Sequence, residues 1–315
     1  MAVWIPCRHE QKMKKKQVYL VARILLGLIF LAVLFWKVGF QNFAEQLSKF
    51  NPVFFLYIAP LMVINFFVGG LNIKLLLRPI NKDVKLSRIT RYTTLSWAYG
   101  LLVPGKIGEF SIIAYLKKEK ASYGEGLAIS ILDKIITVLV ISVFALIGVA
   151  KYFNVHSAWR MAAFLVVAMT VLVWLIYSEK VRMLIRKFVL RKHDEKFTGF
   201  FRLSKDYVVK HPELILANIF FTLVKFAIVS LIFYLIALGF GIQLNFMDVA
   251  MINAAAILIS LVPITISGLG IREAGIVYML GLVGIASATA LGISLIVLFV
   301  NYASCAIALF SMRID

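Results

Sequence analysis

Residues 95–116 read LSWAYGLLVPGKIGEFSIIAYL, and residues 254–280 read AAAILISLVPITISGLGIREAGIVYML. Both stretches are apolar enough for a bilayer. Both also break near the middle at one tripeptide, Leu102-Val103-Pro104 and Leu261-Val262-Pro263. Proline withholds an amide from a helix and clashes with the preceding turn, while glycine permits a sharp bend. The broader apolar segments 92–116 and 248–285 are therefore each expected to form two half-helices joined by an irregular turn. Non-helical backbone survives at membrane depth only inside protein or beside a wet cavity. Two re-entrant hairpins are the expectation, and two kinked crossing helices the alternative.

Outward from these breaks the chain is apolar nearly throughout. Apolar residues make up 62% and charged ones 16%, with a mean hydropathy of +0.93. Six further stretches, about 18–36, 53–77, 126–150, 159–177, 213–238 and 288–311, approach the roughly 20 residues that a crossing helix needs. The expected fold is all-α, a polytopic helical membrane protein of six full spans plus the two hairpins. A basic N-terminal tail, 1–17, precedes a single transmembrane domain, 18–311. Lys12 and Lys14 to Lys16 before the apolar run imitate a secretory leader, but no small-x-small cleavage site follows, so the run reads as an uncleaved first span.

With both hairpins returning to their own side, the tail, loops 78–91, 117–125 and 178–212 and the C-terminus carry nearly all the loop cations, against Lys37, Lys49, Lys151 and Arg160 opposite. The positive-inside bias then places both termini and loop 178–212 in the cytoplasm, in a plasma or inner membrane. The net charge of +19 is thus loop charge, and a nucleic-acid partner is not expected. Loop 178–212 is expected to lie along anionic headgroups.

Ionisable groups at membrane depth are costly and need a partner, a cavity or a purpose. Lys106 and Glu109 stand at the first break, Arg272 and Glu273 at the second, Asp133 and Lys134 inside the third full span, and Lys225 inside the fifth. The two breaks share an order: Leu-Val-Pro, glycine, then glutamate. Pro104 and Pro263 are half a chain apart, which suggests inverted halves, about 18–150 and 159–311, with a site between broken helices. The candidate substrate-binding set is Pro104, Gly105, Lys106, Gly108, Glu109, Asp133, Lys134, Pro263, Ser267, Gly268, Gly270, Arg272 and Glu273. A half-helix starting after Gly105 or Gly108, or after Gly268 or Gly270, would aim free amides at an anion such as phosphate. Lys106 and Arg272 would add charge. The glutamates would pair with those cations, cap the half-helices, or meet an amine or a proton.

Catalytic signatures are absent from the sequence: no phosphate loop ending in Gly-Lys-Ser/Thr, no His-Glu-x-x-His, no Gly-x-Ser-x-Gly and no Asp-x-Asp. Cys7, Cys305 and four scattered histidines make no metal pattern. No catalytic residue, cofactor or metal is expected, and the chain is not expected to be an enzyme.

Pro104-Gly105-Lys106-Ile107-Gly108-Glu109 and, after Pro263, Ser267-Gly268-Leu269-Gly270-Ile271-Arg272-Glu273 resemble, in order, the two signatures of the lysylphosphatidylglycerol synthase transmembrane region family, also called flippase-like integral membrane proteins. The resemblance spans roughly 18–311. It implies a helical domain that moves a lipid between leaflets, in the best-known members an aminoacylated phospholipid. Larger members add a soluble synthase or glycosyltransferase domain, so synthase activity is not carried over here. Where many relatives have an arginine soon after the first glutamate, this chain has Ser111-Ile112-Ile113. The resulting expectation is a flippase-like transporter of an anionic or zwitterionic phospholipid, alone or beside a separate synthase or glycosyltransferase. Its alternatives are a membrane-embedded headgroup transferase and a non-catalytic partner of a synthase.

Overall fold

The structure is a computed structural model that describes residues 8–80, 82–177 and 199–311. Among these residues there are twelve α-helices and no strand. In chain order they are α1 (Arg8–Val38), α2 (Phe40–Ser48), α3 (Phe55–Leu76), α4 (Leu86–Leu102), α5 (Ile112–Lys118), α6 (Tyr123–Tyr152), α7 (Val155–Tyr177), α8 (Phe200–Val209), α9 (Pro212–Gly239), α10 (Phe246–Leu261), α11 (Ile271–Leu282) and α12 (Ser287–Phe310). The protein is an all-α polytopic membrane protein. Among the described residues five helical segments are long and apolar enough to cross: Tyr19–Val38, Pro52–Leu76, Tyr123–Tyr152, Pro212–Gly239 and Ser287–Phe310. α7 covers the remaining expected span. The expected basic loop lies outside the described residues from 178 to 198. Its described end forms α8, which buries Phe200, Leu203 and Tyr207 in the bundle, where the Tyr207 hydroxyl donates to the Leu76 carbonyl, and leaves Arg202, Lys205 and Lys210 exposed.

The helix ends sort onto two faces. On the first, the Arg91 guanidinium donates to the Ser311 carbonyl and Arg88 bridges to Glu119 at 3.1 Å. On the second, Asn51 N–H donates to the Gly239 carbonyl at 2.8 Å, Lys151 pairs with Asp248, and Thr289 donates to Gln46. Apolar side chains such as Leu56, Trp159 and Ile307 point outward, as lipid-facing residues do. Lipid tails are as apolar as leucine, so close packing and polar contacts hold the helices together instead.

The two broken segments are hairpins. The first, α4–α5, enters from the first face and turns at Val103–Ser111; the second, α10–α11, enters from the second face and turns at Val262–Gly270. Hydropathy misplaced the start of the first, because α4 begins at Leu86 and its first turns carry Ser87, Arg88, Thr90 and Arg91. Close approach of the arms requires glycine: a Cβ on Gly108 would strike the Tyr99 carbonyl, and one on Gly100 would strike the Glu109 side chain. The two tips touch, with Gly105 against Leu261 and Pro263.

The element order repeats. Long helix, short amphipathic helix, crossing helix, hairpin, crossing helix describes α1 to α6 and again α7 to α12. Packing obeys the exchange of halves. α3 lies on its counterpart α9, α4 on α12 as α10 lies on α6, and α2 on α12 as α8 lies on α6. With hairpins entering from opposite faces, the halves are inverted.

Candidate functional site

The tips adopt backbone that only a fixed surrounding tolerates. Gly105 and Lys106 have φ of 64° and 55°, and Ser267 and Gly268 have 48° and 78°. A left-handed Lys or Ser costs on the order of 1–2 kcal/mol. Each tip thus carries a consecutive left-handed pair, one member of which is not glycine. Strain of this kind concentrates at functional segments.

Two cavities flank the tips and share Asn65 and Trp97 as a wall. The first, about 120 Å³, is lined by Glu109, Asp133, Lys134, Lys225 and Ser130. Glu109 pairs with Lys134, which also lies 3.3 Å from Asp133. Lys225 approaches Asp133 to 3.8 Å from α9. Asn72 donates to Asp133 at 3.0 Å, and Asn218 donates to Asn72 at 2.9 Å and to Asp133 at 3.4 Å. Two carboxylates thus face two ammonium groups, and the cluster is neutral. Its cohesion is what lets a buried carboxylate such as Asp133 persist at this depth.

The second cavity, about 140 Å³, lies at the meeting of the tips and is lined by Lys106, Arg272, Asn253, Ser260 and Asn301. Glu273 sits behind Arg272, fully buried; one carboxylate oxygen accepts from Arg272 Nε at 2.9 Å and the other from Gly270 N–H at 2.6 Å. Among the described residues no ion pair holds Lys106, so by formal charge Lys106 and Arg272 against Glu273 leave one positive charge in excess at this cavity. The buried hydroxyls of Thr265 and Ser267 have no hydrogen-bond partner among the described residues.

Of the thirteen residues expected at the site, the structure brings Lys106 and Arg272 to one cavity and Glu109, Asp133 and Lys134 to the other. Glu273 stands behind Arg272, and Pro104, Gly105, Gly108, Pro263, Ser267, Gly268 and Gly270 line neither cavity and shape the tips instead. Gly270, at φ 80°, also lets α1 close in, since a Cβ there would stand 2.5 Å from the Gly27 carbonyl. The half-helices begin differently from one another. α11 starts after Gly270 as expected, with Glu273 as its cap. The first break leaves helical geometry only at Gly105 and Lys106 and then runs as a 3-10 helix to Ser111, where Glu109 makes no capping hydrogen bond and reaches Lys134 rather than Lys106. Sequence reasoning missed Asn218, Trp97, Ser130 and Asn301. One signal was available for Asn218: it precedes Lys225 by seven residues, two helical turns, as Asn65 precedes Asn72, so each pair shares a face.

Among the described residues no group of His, Cys, Asp and Glu could hold a metal ion. Compared with known proteins, residues 20–308 match the family model described as the lysylphosphatidylglycerol synthase TM region. No curated protein and no solved structure matches the chain.

Proposed function

The chain belongs to the lysylphosphatidylglycerol synthase transmembrane region family, and on that premise we propose that it moves an anionic or zwitterionic phospholipid between leaflets. The observation that carries this reading is the place of the net positive cavity. It sits where two hairpins entering from opposite faces touch, so a headgroup held there is equidistant in topology from both leaflets. Lys106 and Arg272 receive the lipid's phosphodiester. Arginine presents two parallel donors to a phosphate, and lysine adds a point charge. Asn253 and Asn301, whose side-chain amides already donate once, to Ser230 and to the Val297 carbonyl, each keep a second amide hydrogen for the headgroup. The neutral cluster of Glu109, Asp133, Lys134 and Lys225 lies beyond the Asn65–Trp97 wall and is placed to take up a charge change by exchanging partners. Movement needs no group-transfer chemistry in this reading. The termini lie in the cytoplasm of a plasma or inner membrane, and a separate synthase or glycosyltransferase supplies or uses the lipid.

The test uses purified full-length chain in liposomes. Tail-labelled fluorescent phosphatidylglycerol reports movement through dithionite quenching, and glycerophosphoglycerol, which has no tails, reports headgroup binding. A hydrogen bond to a charged group is worth about 1.5–3 kcal/mol. Lys106→Gln is therefore expected to weaken glycerophosphoglycerol binding by about 10- to 100-fold and to slow lipid movement in parallel. Arg272→Gln should do the same. Parent-like binding and movement in both variants would remove the hairpin tips as the headgroup site.

A further inference from the structure

The exchange of halves that relates α1–α6 to α7–α12 is broken at one seam. Exchanging halves maps the pair α6–α9 onto the pair α12–α3. The α6–α9 seam is shut: the helices pack together, Phe144 meets Phe226 with ring centroids 4.6 Å apart, and Asn218 and Lys225 of α9 reach Asp133 of α6. The backbones of α3 and α12 stand farther apart than those of α6 and α9, and side chains bridge them, the Phe55 and Phe299 rings at 5.9 Å and Ile58 and Met62 in one buried cluster with Val300. What remains between them is an apolar groove of about 420 Å³, running to Ser311 on the first face. Its α12 wall is small, with Ala303, Ser304 and Ala308, and neighbouring Ile307 and Val63 lie exposed to the bilayer.

The groove shares a wall with each of the two polar cavities. Met62 and Val300 line it and the Lys106–Arg272 cavity; Phe66 and Thr94 line it and the Glu109–Lys134 cavity. One layer of side chains therefore separates the headgroup site from an open, lipid-facing trough. A phospholipid needs this pairing, because its headgroup must leave hydrocarbon while its tails must not. Resting on the headgroup reading above, we propose that the α3–α12 groove holds an acyl chain of the transported phospholipid. The lipid enters sideways through this seam from the leaflet of the first face. The shut α6–α9 seam is its inverted twin, through which the lipid leaves toward the other leaflet once the Asp133 contacts part.

The experiment uses the full chain in liposomes containing phosphatidylglycerol with a diazirine midway along one acyl chain. After illumination, adducts are mapped by peptide mass spectrometry. Expected are adducts on Ala59, Ala303 and Ile307 several-fold above those on the exposed α7 residues Phe164 and Val166, with that excess lost in Lys106→Gln. Equal labelling of the two faces, or an excess untouched by Lys106→Gln, would overturn the groove as a tail site. A second arm fills the trough. Ala303→Trp should slow movement of tail-labelled phosphatidylglycerol by about tenfold, the scale on which overfilling a packed space is felt, while glycerophosphoglycerol binding stays at the parent level. Parent-like movement in Ala303→Trp sinks the groove and leaves the headgroup site standing. A parent protein that neither binds glycerophosphoglycerol nor moves lipid sinks the headgroup reading itself.

Discussion

Glu273 is fully enclosed, with one carboxylate oxygen on the Gly270 amide and the other on Arg272. Glu109, at the matching place after the first Leu-Val-Pro, caps nothing and faces a cavity, where it shares Lys134 with Asp133. The same substitution should therefore have opposite consequences at the two positions. Glu273→Gln keeps an oxygen for the Gly270 amide but strands a nearly buried arginine. Breaking a buried pair in this way costs about 3–5 kcal/mol, so a clear fall in melting temperature is expected. Glu109→Gln leaves Lys134 its second carboxylate, and its melting temperature should stay near the parent's while lipid movement falls. Thermal unfolding in detergent beside the liposome assay checks both. Equal melting losses in the two variants would show that the two glutamates are one kind of cap.

At the scale of the elements, the hairpins depend on backbone contact more than on side-chain burial. α4 and the returning arm of the first tip touch at Gly100 and Gly108, where there is no space for a methyl group. Gly108→Ala must push the arms apart, and overfilling of this kind costs about 1–3 kcal/mol. Gly281, near the end of α11, has open space where a methyl group would stand, with nothing within 4 Å. Gly281→Ala should be neutral or gain up to about 1 kcal/mol in helix propensity. The contrast, read as thermal stability of the two variants, isolates the arm contact from the general effect of alanine. A stable Gly108→Ala protein would mean that the arms are looser than their packing indicates. The break itself was legible, because proline and glycine act on their own neighbours. The ends of α1 and α4 were not. Both helices extend into segments interrupted by charged and polar residues, Arg8 onward and Leu86–Arg91, and hydropathy registers only the apolar part of a helix.

For the whole molecule, the sorting of helix ends onto two faces turns orientation into a single question. His156 lies on the second face and Lys205 on the first, both exposed. In a background without Cys7 and Cys305, His156→Cys should react with an impermeant thiol reagent added to intact cells, and Lys205→Cys should be protected. The reverse pattern would turn the molecule over and reverse the leaflet from which the α3–α12 groove opens. Inverted halves also explain why the two seams are comparable. Two copies of one plan can be compared seam by seam, and here α6–α9 is shut while α3–α12 is parted.

The sequence by itself determined the all-α membrane class and the two broken segments. Each of these is written locally: apolar runs of membrane length, proline and glycine within them, and charge confined to loops. Only the tertiary structure decided who meets whom. Lys134 rather than Lys106 answers Glu109, Asn218 joins Asn72 across 146 positions, and α3 stands off from α12 while α9 closes on α6. No local pattern encodes these pairings. An ion pair or an open seam depends on which helix faces come side by side, and that is set by the packing of the whole bundle.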